Sequence, residues 1–198
     1  MIRDGDNRYR FAIQYQELEL GDQRFFDSKG IVAQWLRILG ENLQAGVSLS
    51  LTDVDFASDF IYRNHQRQLT NGEVIHTSGN WAQRLSIYLG REVASQNRYD
   101  YALRDAIRGI SYRLSYQFNA NLIPYFSGQY TYSDYGEVHP VFQQVRSDSF
   151  RAYELGLLWQ PSNHWIINPS LTDARNQSDV EAYSYDRERA QVNLRYNF

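Results

Sequence analysis

The stretch that decides the fold is the end of the chain, residues 181–198, with the sequence EAYSYDRERAQVNLRYNF. Towards the carboxyl end, apolar and polar residues alternate with the two-residue period of a β-strand. One face carries Ala190, Val192, Leu194, Tyr196 and Phe198, and the other carries Arg189, Gln191, Asn193, Arg195 and Asn197. In a transmembrane β-barrel the apolar face contacts lipid, the polar face lines the lumen and aromatic residues lie at the interfaces. The pattern therefore predicts a membrane-spanning strand.

The composition agrees with such a barrel. Aromatic residues make up 15% of the chain, with 16 Tyr against 1 Met, which favours strands and membrane interfaces over helices. Lys29 is the only lysine, so nearly all cations are arginines, which bind carboxylates and phosphates with a forked geometry. The net charge of −3 offers no basic footprint for nucleic acid, and the absence of cysteine excludes a disulfide framework. The short apolar runs exclude a transmembrane helix.

The same alternation recurs along the chain and predicts about ten antiparallel strands joined by alternating short turns and long loops, the pattern of an up-and-down transmembrane β-barrel. We expect strands within residues 7–20, 31–39, 43–52, 66–75, 81–90, 109–118, 122–132, 150–159, 165–172 and at the closing stretch. The expected short turns are 40–42, 119–121 and 161–163, and the expected loops are 21–29, 57–63, 96–104, 133–148 and 173–182. Residues 53–80 fit least well, because Asn71-Gly72 is ordinarily a turn signal, so a bulged strand or an extra hairpin is possible there.

Large aromatic residues are expected at both membrane interfaces. Trp81, Phe118, Trp159 and Trp165 fall beside the short turns, whereas Tyr130, Tyr132, Tyr183 and Tyr185 fall towards the long loops. This distribution predicts two aromatic girdles and places the carboxyl terminus on the periplasmic side of an outer membrane. A soluble barrel or sandwich would alternate in the same way, but its inward face would carry mainly Val, Ile and Leu rather than aromatics at strand ends.

The polar faces supply the candidate functional residues. The lumen-lining candidates are Arg84, Tyr88, Arg113, Gln117, Gln129, Glu154, Arg189 and Arg195. We expect Arg84, Arg113, Arg189 and Arg195 to pair with Glu154 and polar neighbours; a role in selecting solutes is the alternative. The histidines, His65, His76, His139 and His164, lack ligand spacing, and no set of base, nucleophile and orienting residue stands out. The sequence therefore predicts neither a metal or cofactor site nor an enzyme.

The carboxyl-terminal part of the chain resembles a known family. Residues 176–178 (NQS), 183–189 (YSYDRER) and 192–198 resemble the closing hairpin of the barrel of surface lipoprotein assembly modifiers. The loop 99–101, the strand 109–118 and the turn 119–121 are similar to that family and to related barrels that follow periplasmic tetratricopeptide domains. Val192, Leu194, Tyr196 and Phe198 also resemble the terminal signal read by the barrel assembly machinery, which implies insertion into the bacterial outer membrane.

This resemblance implies a client as well as a fold. It predicts translocation or surface display of a lipoprotein, with outer-membrane lipid, lipopolysaccharide and the assembly machinery as further partners. A passive porin or an exopolysaccharide export channel is the alternative, and a structural or adhesive barrel with binding loops is a third possibility. Members of the family carry a signal peptide, a helical periplasmic region and a larger barrel. Residues 1–4, MIRD, open no apolar export segment, so we expect this chain to be part of a larger barrel.

Overall fold

The computed structural model of the chain describes residues 2–95 and 101–197. Within them, eleven strands form one antiparallel sheet whose spatial order is the order of the sequence. The strands are β1 Ile2–Asp4, β2 Asn7–Leu20, β3 Gln23–Ile38, β4 Leu43–Phe56, β5 His65–Ser78, β6 Trp81–Ala94, β7 Arg104–Tyr116, β8 Leu122–Val138, β9 Val145–Trp159, β10 Trp165–Ser178 and β11 Tyr185–Tyr196. The 3-10 helices Ser58–Arg63 and Glu181–Tyr183 lie in connections. The predicted all-β up-and-down architecture is confirmed, and the three-residue β1 is the strand that the sequence reading missed.

The two faces of the sheet differ in the opposite way from those of a soluble protein. One face, here called the convex face, exposes large apolar side chains on nearly every strand, such as Ile13 at 88%, Leu49 at 55% and Leu194 at 64%. The other, the concave face, holds polar side chains that are almost fully buried, among them Glu73, Glu92 and Ser170. Few apolar side chains are buried among the described residues, so the chain has no conventional apolar core.

The sheet curls but has two free edges within the described residues. β1 covers only the first part of β2, from Asn7 to Tyr9, and β11 pairs with β10 alone. A cavity on the concave face is nevertheless lined by residues as distant in strand order as Gln14 on β2 and Tyr183 before β11. The curvature therefore brings the two edges of the sheet towards a common interior.

Successive connections alternate between the two ends of the sheet. The end called here the short-turn end carries Gly5-Asp6, residues 39–42, Gly79-Asn80, residues 117–121 and residues 160–164. The long-loop end carries residues 57–64, 101–103, 139–144 and 179–184, together with the tight turn Gly21-Asp22. Apart from that turn, the predicted alternation of short and long connections holds.

Three predicted loops were wrong, and all three lie at the long-loop end. Gly21 and Asp22 have φ values of 57° and 63°, which suits a two-residue hairpin turn, so β3 begins at Gln23 and residues 23–29 belong to a strand. Residues 133–148 contribute to β8 and β9, and residues 173–178 belong to β10. These segments lack a regular alternation of apolar and polar residues because the strands continue past the apolar band, and the missing alternation was the reason for predicting loops. The predicted loop 96–104 lies largely outside the described residues.

The segment that fitted least well is regular. Asn71 and Gly72 lie in the middle of β5, paired on one side with Ser48 and Val47 of β4 and on the other with Tyr88 and Ile87 of β6. The turn signal is overridden because both neighbouring strands offer complete ladders of hydrogen bonds. The strand expected near 66–75 is confirmed and runs from His65 to Ser78.

No helix among the described residues is both long enough and apolar enough to cross a membrane.

Candidate functional site

A cluster of charges centred on Glu92 lies on the concave face near the long-loop end. The Glu92 side chain is 5% exposed, and its Oε1 accepts hydrogen bonds from Nε of Arg67 at 3.0 Å and from Nη2 of Arg104. The backbone N–H of Arg104 donates to Oε2 at 3.3 Å. One carboxylate therefore holds two guanidinium groups, which leaves an excess of positive charge.

His65 adjoins this cluster without joining its hydrogen bonds. Its Nδ1 lies 2.7 Å from the carbonyl oxygen of Arg63, so this nitrogen carries the proton and donates. Nε2 lies 3.6 Å from Oε1 of Glu92 and has no hydrogen-bond partner. The ring therefore packs beside the ion pairs rather than extending them.

A second cluster surrounds Arg146 on β9. Its guanidinium is paired with Asp148 and lies over two aromatic rings, with Cζ 3.5 Å from the ring centroid of Tyr183 and 4.3 Å from that of Tyr135. The hydroxyl of Tyr135 donates to Oδ2 of Asp148 at 3.2 Å. The hydroxyl of Tyr183 lies 3.2 Å from Nε2 of His139, which is in the connection between β8 and β9. The planar guanidinium is thus fixed by an ion pair and by cation–π contacts.

These clusters line two adjoining cavities of about 570 and 980 Å³. The cavities share six lining residues, namely Arg67, Leu69, Arg104, Tyr135, Arg146 and Tyr183. Across both linings, four arginines (Arg63, Arg67, Arg104 and Arg146) face two carboxylates, Glu92 and Asp148. The interior at the long-loop end is therefore positively charged and suited to anions.

A polar network forms part of the lining of the smaller cavity. Tyr88 hydrogen-bonds to Thr131, and Nε2 of Gln129 donates to the Tyr88 hydroxyl at 2.9 Å. A Cβ built on Gly109, directly opposite on β7, would overlap the ring of Tyr88. Glycine at this position therefore lets the tyrosine ring lie flat across the neighbouring strand.

A similar arrangement lies nearer the short-turn end. The guanidinium Cζ of Arg113 is 3.7 Å from the ring centroid of Tyr125, whose hydroxyl donates to Oε1 of Glu154 at 2.6 Å. Nδ2 of Asn168 donates to the same hydroxyl at 3.1 Å. Gly156, opposite Tyr125, provides the space for the ring.

The register places the predicted lumen-lining residues on the concave face. One line across six strands consists of Arg84, Arg113, Ser127, Glu154, Thr172 and Arg189. Tyr88 and Gln129 lie on this face nearer the long-loop end, and Arg195 lies on it nearer the short-turn end. Gln117 directly follows β7, and its backbone N–H donates to the carbonyl oxygen of Asn80. That these side chains line a lumen stays a prediction.

Arg84 and Arg113 do not pair with Glu154 as expected, but both contact other polar neighbours. Nε of Arg84 lies 3.4 Å from Oε2 of Glu73, Arg113 lies over Tyr125, and Glu154 accepts from Tyr125 instead. The sequence reading also missed Arg67, Arg104 and Arg146. Those residues fall in segments taken to be loops or poorly defined strand, and their convergence depends on pairing between distant parts of the chain.

The aromatic residues divide into two groups. Trp81, Phe118, Trp159 and Trp165 are all exposed at the short-turn end, with Trp81 packed on Tyr116 and Trp165 on Tyr196. Tyr130 and Tyr132 lie on the convex face towards the long-loop end. Tyr183 and Tyr185 depart from the prediction, because both line the smaller cavity on the concave side. That the remaining residues form girdles stays a prediction.

The terminal signal is described in part. Val192, Leu194 and Tyr196 are exposed on the convex face, whereas Phe198 lies outside the described residues. Recognition of this segment by the assembly machinery stays a prediction.

No metal site is formed by the described part of the chain. It contains no group of three or more His, Cys, Asp or Glu side chains placed to hold an ion.

Comparison with known proteins identifies the architecture. No family model and no curated protein sequence matches the chain. Among solved structures, OpdK of Pseudomonas aeruginosa with vanillate matches at a TM-score of 0.50 and 14% identity, over 96% of this chain and 56% of that one. A BenF-like porin from Pseudomonas fluorescens Pf-5 matches at a TM-score of 0.50 and 14% identity, over 98% of this chain and 58% of that one. The fold is that of an outer-membrane porin β-barrel. The chain spans little more than half the length of these porins.

Proposed function

We propose that this chain belongs to a passive outer-membrane channel for small organic anions. The observation that carries the proposal is the set of arginines lining the two cavities, which outnumber the carboxylates there. Rings of basic side chains give pores a preference for anions. The likeness to porins supports a channel over other outer-membrane functions, and OpdK was determined with vanillate, a carboxylate.

The geometry favours planar carboxylates within this class. The guanidinium of Arg146 lies over two tyrosine rings, and Arg67 and Arg104 both donate to Oε1 of Glu92. A fixed guanidinium binds a carboxylate with two parallel hydrogen bonds. A solute that competes with Glu92 or Asp148 for these donors would pass from one arginine to the next.

Ion selectivity in planar bilayers tests the proposal. Reversal potentials in a salt gradient are expected to show anion preference, and Arg146→Gln is expected to reduce it. Arg151→Gln is the matched control, because Arg151 lies on the same strand but on the convex face. Cation preference in the unchanged protein, or equal effects of the two substitutions, would contradict the proposal.

Lipoprotein translocation stays a prediction from sequence resemblance. One structural feature supports lipoprotein translocation. The sheet has two free edges, and a gap between them would shield the lipoprotein while it crosses the membrane. A steady open conductance would argue against gated translocation. Silent bilayers, combined with client export in reconstituted vesicles, would instead argue against the passive channel.

A further inference from the structure

His65 carries a buried ring nitrogen that has no hydrogen-bond partner among the described residues. The side chain is 7% exposed, and because Nδ1 donates to the carbonyl oxygen of Arg63, Nε2 carries the lone pair of a neutral imidazole. This lone pair lies 3.6 Å from Oε1 of Glu92, which is also an acceptor. A proton on Nε2, with a small movement of either side chain, would turn this contact between two acceptors into a charge-assisted hydrogen bond.

The surroundings of His65 keep the ring neutral at pH 7. The elements packed against it contribute one carboxylate and three guanidinium groups, namely Glu92 on β6, Arg67 on β5, Arg104 on β7 and Arg63 in the preceding connection. β4 contributes the uncharged Val54 and Phe56. Burial lowers the pKa of His65 below its ordinary value of 6.5, and the charges of Arg67 and Arg104 lower it further, against the opposite effect of Glu92. The ring therefore becomes protonated only in acid.

His65 lies where such a proton can arrive from water. It begins β5 beyond the apolar band, opposite Val54, whose chain neighbours Asp53 and Asp55 are exposed on the convex face. It also lines the larger cavity together with Glu92. A change in its charge therefore acts directly on the arginine-lined interior.

We propose that His65 is a pH-sensitive switch that strengthens the anion preference of the channel in acid. Protonated Nε2 donates to Oε1 of Glu92, the same atom that Arg67 and Arg104 use. Two guanidinium groups and one carboxylate give this cluster a net charge of +1, which His65 raises to +2. Arg67, the more exposed of the two guanidinium groups, is then the one released towards the cavity. The inference rests on the proposed function, because it concerns regulation of the same arginine-lined interior.

NMR titration of the histidine rings in detergent micelles tests the switch without any measurement of conductance. The signal of His65, assigned by its absence in His65→Gln, is expected to show the proton on Nδ1 at neutral pH and a midpoint below that of an exposed histidine. Glu92→Gln is expected to lower the midpoint, because the carboxylate that stabilises the imidazolium is lost. Arg67→Gln is expected to raise it, because a repelling charge is lost. A midpoint that is unchanged in both variants, or that lies above the ordinary value, would overturn the proposal.

Reversal potentials in a salt gradient, measured at about pH 7.5 and about pH 5, test the consequence for ion flow. The anion-to-cation permeability ratio is expected to rise about twofold in acid, because one added charge acts on ions about 10 Å away while salt screens part of its effect. His65→Gln is expected to remove most of this rise. His76→Gln is the matched control and should keep it, because His76 lies on the same strand but on the convex face at the short-turn end.

Two results of the bilayer experiment would overturn the switch. One is an anion-selective channel whose preference does not rise in acid, which would leave the proposed channel in place. The other is a rise that persists in His65→Gln and disappears in His139→Gln, since the pH dependence would then belong to His139 beside Tyr183. Cation preference near pH 7.5 would instead contradict the proposed channel, and the NMR titration of His65 decides the switch in that case.

Discussion

Replacing Gly156 by alanine is expected to destabilise the barrel through the ring of Tyr125. Gly156 and Tyr125 are directly opposite on β9 and β8, and a Cβ on Gly156 would stand closer than 3.0 Å to three atoms of that tyrosine. Carbon atoms in contact are about 3.5–4.0 Å apart, so the ring must move. Because φ of Gly156 is not positive, the backbone accepts alanine and the steric clash is the only cost.

The magnitude follows from what the ring would lose. Its hydroxyl donates to Glu154 at 2.6 Å, and a hydrogen bond to a charged group contributes about 1.5–3 kcal/mol. The contact with Arg113 adds about 0.5–2 kcal/mol. A ring of Tyr125 that moves only partly keeps some of the hydrogen bond and some of the contact with Arg113. We therefore expect Gly156→Ala to lower the free energy of unfolding by about 2–3 kcal/mol.

Urea unfolding in lipid vesicles, followed by tryptophan fluorescence, measures the change. Gly72→Ala is the matched control, because Gly72 is also inside a strand but a Cβ there meets no atom within 4 Å. Its effect is expected to stay within about 0.5 kcal/mol. In a Tyr125→Ala background the cost of Gly156→Ala should disappear, giving a coupling energy above about 1.5 kcal/mol. If both alanine substitutions are equally tolerated in the unchanged chain, the proposed packing is refuted.

The remaining predictions concern the two faces, the charge cluster and the terminal signal. Leu49→Arg puts a charge on the lipid-facing side and is expected to lower the free energy of unfolding in vesicles by about 2–4 kcal/mol. The control Ser50→Arg places the same charge on the concave face and should be nearly neutral. Equal losses of stability would contradict the assignment of faces. Glu92→Gln removes the carboxylate that pairs with two guanidinium groups. The free energy of unfolding should fall by about 2 kcal/mol, a value that is reduced because Arg67 is partly exposed. The same substitution should raise the anion preference measured in bilayers. Phe198→Asp is expected to block assembly into the membrane, and normal insertion, seen as an unchanged heat-modifiable shift on a gel, would refute the terminal signal.

The strand pattern could be predicted wherever the apolar band runs. In residues 43–51 the alternation of Leu43, Val47 and Leu49 with small polar residues defines one strand, and β4 contains it. Beyond the band both faces meet water, so alternation disappears and strand residues resemble a loop. The pairs of Asp134 with Ser147 and of Arg175 with Asp186 lie in such extensions, which hydrogen bonding between strands maintains without any apolar signal.

The candidate site could be predicted only in outline. The alternation within each single strand predicts a polar face rich in Arg and Tyr, and this prediction does not require the register between strands. The cluster of Arg67, Glu92 and Arg104 does not, because it needs three strands in correct register, and Arg104 lies beside a bulge in β7. A one-residue shift of any strand would turn its side chain to the opposite face.

The distribution of exposure over the two faces of the sheet is the reverse of that in a soluble protein. Soluble proteins rarely expose continuous apolar patches beyond a few hundred Å². The convex face exposes apolar side chains on nearly every strand, including Ile13, Leu155 and Leu171, so lipid must cover it. The concave face then cannot also be filled by lipid, because buried charges such as Glu92 require ion pairs and polar solvent. This division between an apolar face and a polar face is the direct consequence of the sequence alternation seen in residues 189–197.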